Sequence, residues 1–158
     1  MIGCALILSV LLAIPFTSLY NGKGAKASLG LETREEYLER LLPDAAALHW
    51  ANKNLPQGSR ILLIRENNAY ILDHDYIWGD AAMQGIIDYK KLGPGSLYDE
   101  LKLNRITNII INRAIKCANP KDESSHCPDI KELLETPITS GKIHQLYTKN
   151  EVFVYQVK

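Results

Sequence analysis

The chain has 158 residues, with 18 Lys and Arg against 18 Asp and Glu. That length holds one domain and hardly two, and the balanced charge creates no net field to recruit nucleic acid. No basic run interleaves with aromatics and no nucleic-acid motif is present, so that class of partner is set aside.

The chain opens on an apolar run. Ile2 to Tyr20, IGCALILSVLLAIPFTSLY, carries no charge and is close to the ~20 residues a helix needs to cross the hydrocarbon core. Pro15 is tolerable inside a membrane helix, and Tyr20 stands where an interfacial aromatic belt would place it. These features predict a transmembrane helix over residues 1–20. The competing reading is a cleavable signal peptide, because Ala25-Lys26-Ala27 resembles a small-residue cleavage pattern with Ser28 as the new N-terminus. No positive charge precedes the run, while Lys23 and Lys26 follow it, which by the positive-inside tendency favours a cytoplasmic C-terminus. A lipoprotein signal does not fit, since Cys4 precedes the apolar segment.

Residues 21–32 read as a flexible linker by their Gly, Lys and Ser content. The remaining residues, 33–158, read as one domain. Thr33-Arg34-Glu35-Glu36 is a capping box that opens a helix with Tyr37, Leu38, Leu41 and Leu42 on its apolar side, and Pro43 stops it. Asp44 is placed to cap a second helix through Leu55, and Pro56-Gln57-Gly58-Ser59 turns the chain. Ile61 to Ile64 is a continuous apolar run, as in a strand covered on both faces. Ala69 to Leu72 reads as a second short strand, and Asp80 to Leu92 as a helix ended by Gly93-Pro94-Gly95. Ser96 caps a further helix through Leu103, and Thr107 to Ile111 is the third strand. A helix from Pro128 through Leu134 follows. Lys142 to Tyr147 and Val152 to Val157, with Lys149-Asn150 between them, form a terminal hairpin. Strands alternating with helices predict an α/β fold: a small, mainly parallel sheet flanked by helices, with a C-terminal β-hairpin.

Three cysteines occur. Cys117 and Cys127 bound a short polar stretch and read as a disulfide in an exported domain, worth about 3 kcal/mol in the chain-entropy account. Two free thiols in a reducing compartment are the alternative. A zinc site from Cys117, His126 and Cys127 lacks a fourth ligand and the usual spacing.

The densest polar clusters are Arg65-Glu66-Asn67-Asn68 and Asp73-His74-Asp75. Both follow predicted strands, where open α/β sheets usually receive ligands, so Glu66, Asn67 and Asp73 are the candidate ligand-binding residues. Asp-His-Asp could hold a metal or orient an imidazole for base work. Neighbours on an extended chain point to opposite sides, however, which favours a polar turn. His49 beside Trp50 reads as packing, and His144 has no evident acid partner. No G-x-S-x-G, Walker loop or H-E-x-x-H occurs. No catalytic residue, metal site or cofactor is assigned.

The stretch Arg34 to Leu38, Trp50 to Pro56, Ile61 to Ile64, Tyr70 to Asp73 and Thr107 to Ile111 resembles the C-terminal soluble region of bacterial multi-pass GT-C class glycosyltransferases. These are relatives of the protein mannosyltransferases and aminoarabinose transferases. The resemblance implies a final membrane helix leading into an extracytoplasmic α/β domain, periplasmic or on the outer face. It implies partners in membrane lipid, a polyprenyl-phosphate sugar and an upstream multi-span subunit. That family's catalytic acid and sugar site lie in preceding membrane helices and loops, so none of its catalytic residues carries over. The implied role is non-catalytic, capping the active site or binding acceptor. The alternative is an exported stand-alone ligand- or protein-binding domain with a cleaved signal peptide.

Overall fold

The computed structural model describes residues 24–80, 86–93, 95–115 and 130–158. The chain divides into two compact units, Met1–Pro43 and Asp44–Lys158. Among the described residues no helix is long and apolar enough to cross a membrane. The apolar run from Ile2 to Tyr20 lies outside them, as do all three cysteines and His126.

In the first unit, the expected linker carries a one-turn helix, α1 (Ala25–Ser28). Helix α2 (Arg34–Leu41) starts where its capping box predicts. The Thr33 N–H donates to Glu36 Oε2 at 2.8 Å, and the Glu36 N–H donates to Thr33 Oγ1 at 3.2 Å. Two otherwise orphaned donors are thus satisfied reciprocally.

The second unit runs α3 (Ala45–Asn54), β1 (Arg60–Ile64), a 3-10 turn at Ala69–Ile71, β2 (Asp75–Trp78) and a second 3-10 turn at Tyr89–Lys91. It continues with α4 (Ser96–Leu103), β3 (Asn108–Asn112), α5 (Ile130–Thr139), β4 (Ile143–Lys149) and β5 (Val152–Val157). The fold is α/β, with a five-stranded sheet in the order β2-β1-β3-β5-β4. β1 pairs in parallel with β2 and β3, while β3–β5 and β5–β4 are antiparallel. The sheet is therefore mixed, not mainly parallel as expected. The cause lies in the hairpin. Its second strand carries Val152, Val154, Tyr155 and Val157, all buried, and a strand apolar on both faces belongs inside the sheet. β5 accordingly inserts beside β3 and leaves the more polar β4 at the edge.

Three further expectations change. Ala69 to Leu72 is not a strand: Ala69, Ile71 and Leu72 are buried while Tyr70 is 63% exposed. The Ile71 and Leu72 N–H groups close on Asn68 and Ala69 carbonyls. This short apolar run serves as the crossover that two parallel neighbours require. The helix expected over 80–92 is absent from its described part, where 86–88 are irregular and one 3-10 turn follows; residues 81–85 lie outside the described set. Ser96 does not cap α4. Gly95, at φ 89°, takes the cap position, and the Ser96 hydroxyl bonds back to Gly93 N–H and C=O at 3.1 and 3.0 Å.

Both faces of the sheet are covered. Leu62, Ile64, Ile109, Ile111 and Tyr155 pack with Leu97 and Leu101 of α4 and Leu134 of α5. The alternate strand residues Ile61, Leu63, Ile110 and Val154 are fully buried too, as are Ala45, Ala47, Leu48 and Ala51 of α3. Trp50 of α3 stacks on Tyr147 of β4 with centroids 4.8 Å apart and planes 10° from parallel. Gly79, just past β2, is required by close approach. A Cβ there would lie 2.7 Å from both the Leu63 carbonyl oxygen and Ile64 Cγ1, and its N–H donates to Leu63 O at 2.5 Å.

Candidate functional site

The carboxyl end of the parallel strands is the place where an α/β sheet ordinarily receives a ligand. β1 leaves the sheet at Ile64, and Arg65 turns into the left-handed region with φ 56°. Its N–H is held by the Asp80 carboxylate at 3.2 and 3.4 Å. The turn delivers Glu66 into the interior, where it is fully buried.

A carboxyl taken out of water needs partners. Glu66 Oε1 accepts the Asn68 N–H at 2.9 Å, and Oε2 faces the Asn112 amide nitrogen at 3.4 Å. Asn112 ends β3, and its Oδ1 accepts the Ala114 N–H at 3.1 Å. Asn68 Nδ2 donates to Asp44 Oδ2 at 2.6 Å. Asp44 stands at the start of α3 but makes no side-chain capping bond there, contrary to the expected cap. Its carboxyl, 3% exposed, turns toward the Glu66–Asn68 cluster instead. Burial first, and the neighbouring Asp44 carboxyl next, push the Glu66 carboxyl up to about 8. At neutral pH, Glu66 therefore keeps its proton. Here the oxygens are covered, so the group works as a clasp between the start of α3 and the ends of β1 and β3.

Beside the clasp, burial raises the Asp80 carboxyl above its ordinary range. Burial, followed by the charge of Asp80, also raises the Tyr89 phenol. The Tyr89 hydroxyl is buried with no hydrogen-bond partner among the described residues.

The three candidate ligand residues do not converge. Glu66 lies past the carboxyl end of β1 and is covered, while Asn67 next to it is exposed. Asp73 is exposed but precedes β2, at the opposite end of the sheet, since Arg60 and Asp75 pair at the strand starts. The Asp73 N–H donates to Asn52 Oδ1 at 2.9 Å, and Asn52 Nδ2 donates to Ile71 O at 2.7 Å, so Asn52 staples the crossover onto α3. His74 Nε2 sits 3.3 Å from Ala51 O, and Asp75 pairs with Arg60 at 3.2 Å. The triplet is thus tied to separate partners: the Asp73 N–H and the His74 ring to neighbouring residues of α3, and the Asp75 carboxylate to Arg60. Among the described residues no group of three or more His, Cys, Asp or Glu side chains could hold a metal ion. His49 is buried on α3, and His144 lies on β4. Cys117 and Cys127, the candidate disulfide, lie outside the described residues.

Sequence reasoning missed Asp44, Asn68 and Asn112 as partners of Glu66. One signal was available. Asn108 and Asn112 bracket three isoleucines, and a polar side chain on a strand covered from both sides must meet a partner.

Comparison with protein-family models, with curated proteins and with solved structures returns no match.

Proposed function

We propose that this chain is a membrane-tethered extracytoplasmic domain that serves a lipid-linked-sugar glycosyltransferase without carrying its catalytic groups, capping the active site or binding acceptor. The fate of the polar groups at the carboxyl end of the sheet carries this reading. Glu66, Asp44, Asn68 and Asn112 are spent on one another, so the usual substrate position is closed by a clasp. The segments that resemble the GT-C terminal region fall in chain order on α2, the end of α3, β1, the crossover and β3.

Transfer from a polyprenyl-phosphate sugar needs a carboxylate positioned beside a donor site at membrane level. The full chain in detergent should therefore show no transfer from such donors. A multi-span polypeptide encoded upstream should co-purify with it and supply the turnover. Turnover by the chain alone, lost in Glu66→Gln with its circular dichroism unchanged, would overturn the proposal. With an extracytoplasmic location, non-reducing mass spectrometry should find Cys117 joined to Cys127; two freely alkylated thiols would argue for a reducing compartment.

One observation favours the alternative of an exported ligand- or protein-binding domain. Asn67, Tyr70 and Asp73 are all exposed along the crossover between β1 and β2, with Tyr70 at 63%. N-terminal sequencing separates the two readings. A mature chain starting at Ser28 supports the exported domain, and retention of Ile2 to Tyr20 supports the tether.

A further inference from the structure

We infer that the knuckle formed by Lys26, Leu29 and Leu31 docks in the headgroup layer of a bilayer. This rests on the tether reading for its location, but its geometry is independent of it. Leu29 and Leu31 are 73% and 74% exposed, among the most exposed large apolar side chains described. They are held in place by hydrogen bonds: the Gly30 N–H donates to Ala27 O at 3.1 Å and the Leu31 N–H to Lys26 O at 2.9 Å. With Gly30 at φ 69°, this is the Schellman closure of α1. That closure usually tucks its last apolar residue against the helix, whereas here Leu31 faces outward.

The next residues brace the knuckle. Arg40 Nε and Nη2 donate to the two Glu32 oxygens at 2.8 and 2.7 Å, and Thr33 and Glu36 cap α2. The two leucines are thus presented on a braced elbow, with the exposed Lys26 alongside.

The occupant follows from the sequence. An uncharged run ends at Tyr20, and the link from there to Gly24 spans at most ~13 Å at ~3.3 Å per residue. The polar layer of one leaflet is roughly 5–7.5 Å deep, so a chain tethered by that run holds the knuckle within reach of it. Leucine side chains can enter the acyl boundary there, while a lysine stem stays apolar and its ammonium stays at the phosphates.

The test uses the full chain on vesicles of phosphatidylcholine, with and without phosphatidylglycerol. Leu29→Trp and Leu31→Trp add one indole each, read as the difference in emission from the parent chain. Lipids brominated near the headgroup serve as quencher, and the parent chain, with Trp50 and Trp78 alone, is the baseline. The added indoles at 29 and 31 should be blue-shifted and quenched. Lys26→Gln should remove the extra quenching that phosphatidylglycerol gives. Water-like, unquenched emission at both positions would overturn the knuckle, and so would a blue shift without lipid quenching, which means that protein covers it. Carbonate extraction of the same samples tests the tether separately. Quenching decides the knuckle whether or not the chain resists extraction.

Discussion

Replacing Glu66 with Gln tests the clasp through the pH dependence of stability. In the folded chain Glu66 holds its proton up to about pH 8, against an ordinary carboxyl value of 4.5. Unfolded, the same group has lost its proton well below neutrality, so the folded state binds the extra proton across that window. Stability must then fall as pH rises from about 4.5 to about 8 and level off above it. The slope limit is about 1.4 kcal/mol per pH unit, which sets a ceiling of roughly 4–5 kcal/mol over the window. Sharing of charge with Asp44 and local relaxation bring the expected loss to about 2–3 kcal/mol, a large part of the ~5–15 kcal/mol that holds a domain folded. The amide introduced by Glu66→Gln keeps an acceptor for the Asn68 N–H and a donor toward Asp44, but its nitrogen faces that of Asn112 across the 3.4 Å contact. That mismatch should cost about 1 kcal/mol at low pH. Urea unfolding of the full chain in detergent, followed by Trp50 and Trp78 fluorescence, should give crossing curves. The parent is the more stable near pH 4 and Glu66→Gln near pH 8.5, both approximate positions set by linkage. A parent stability that does not change over this range, or a Glu66→Gln slope equal to the parent's, would refute the buried protonated carboxyl.

The remaining predictions concern packing and backbone. Gly79→Ala should destabilise by about 1–3 kcal/mol, because its Cβ would press 2.7 Å from a backbone oxygen; a melting temperature within a degree or so of the parent's would contradict the close approach. Arg105 closes α4 with φ 56°, in the position that Gly141, at φ 73°, fills after α5. Arg105→Gly should therefore gain about 0.5–1 kcal/mol and Gly141→Ala should lose about as much, compared by urea midpoints. Asn150 and Glu151, at φ 51° and 62°, form the two-residue hairpin turn, so Glu151→Gly should also stabilise, by about 1 kcal/mol. A double-mutant cycle of Trp50→Leu and Tyr147→Leu should return a coupling of about 1 kcal/mol for the stacked pair; additive losses would mean that the rings only fill space.

The legible parts of the fold were those with a local cause. The capping box at Thr33 and Glu36 is satisfied within four residues, and the apolar runs of β1 and β3 can be buried only inside a sheet. Hairpin existence was legible, but its turn falls at Asn150–Glu151 rather than Lys149-Asn150, because register is settled by pairing across the sheet and not by the loop alone. The position of β5 beside β3 depends on a long-range competition for the inner place, which adjacent residues do not report. Ala69 to Leu72 failed for another reason. A four-residue apolar run fits a strand or a buried turn equally well, and only contact with α3 decides. The site was the least legible part. Glu66 and Asp73 both look like loop acids following strands, yet shifting one strand from Ala69–Leu72 to Asp75–Trp78 moves Asp73 to the other end of the sheet. The partners of Glu66 lie 22 residues before it (66 − 44), 2 after (68 − 66) and 46 after (112 − 66), a spacing no local pattern encodes. What the sequence does expose is the demand. Asn112 after three isoleucines, and a glutamate two residues past the apolar run Ile61–Ile64, are polar groups headed for the interior, and each had to find the other.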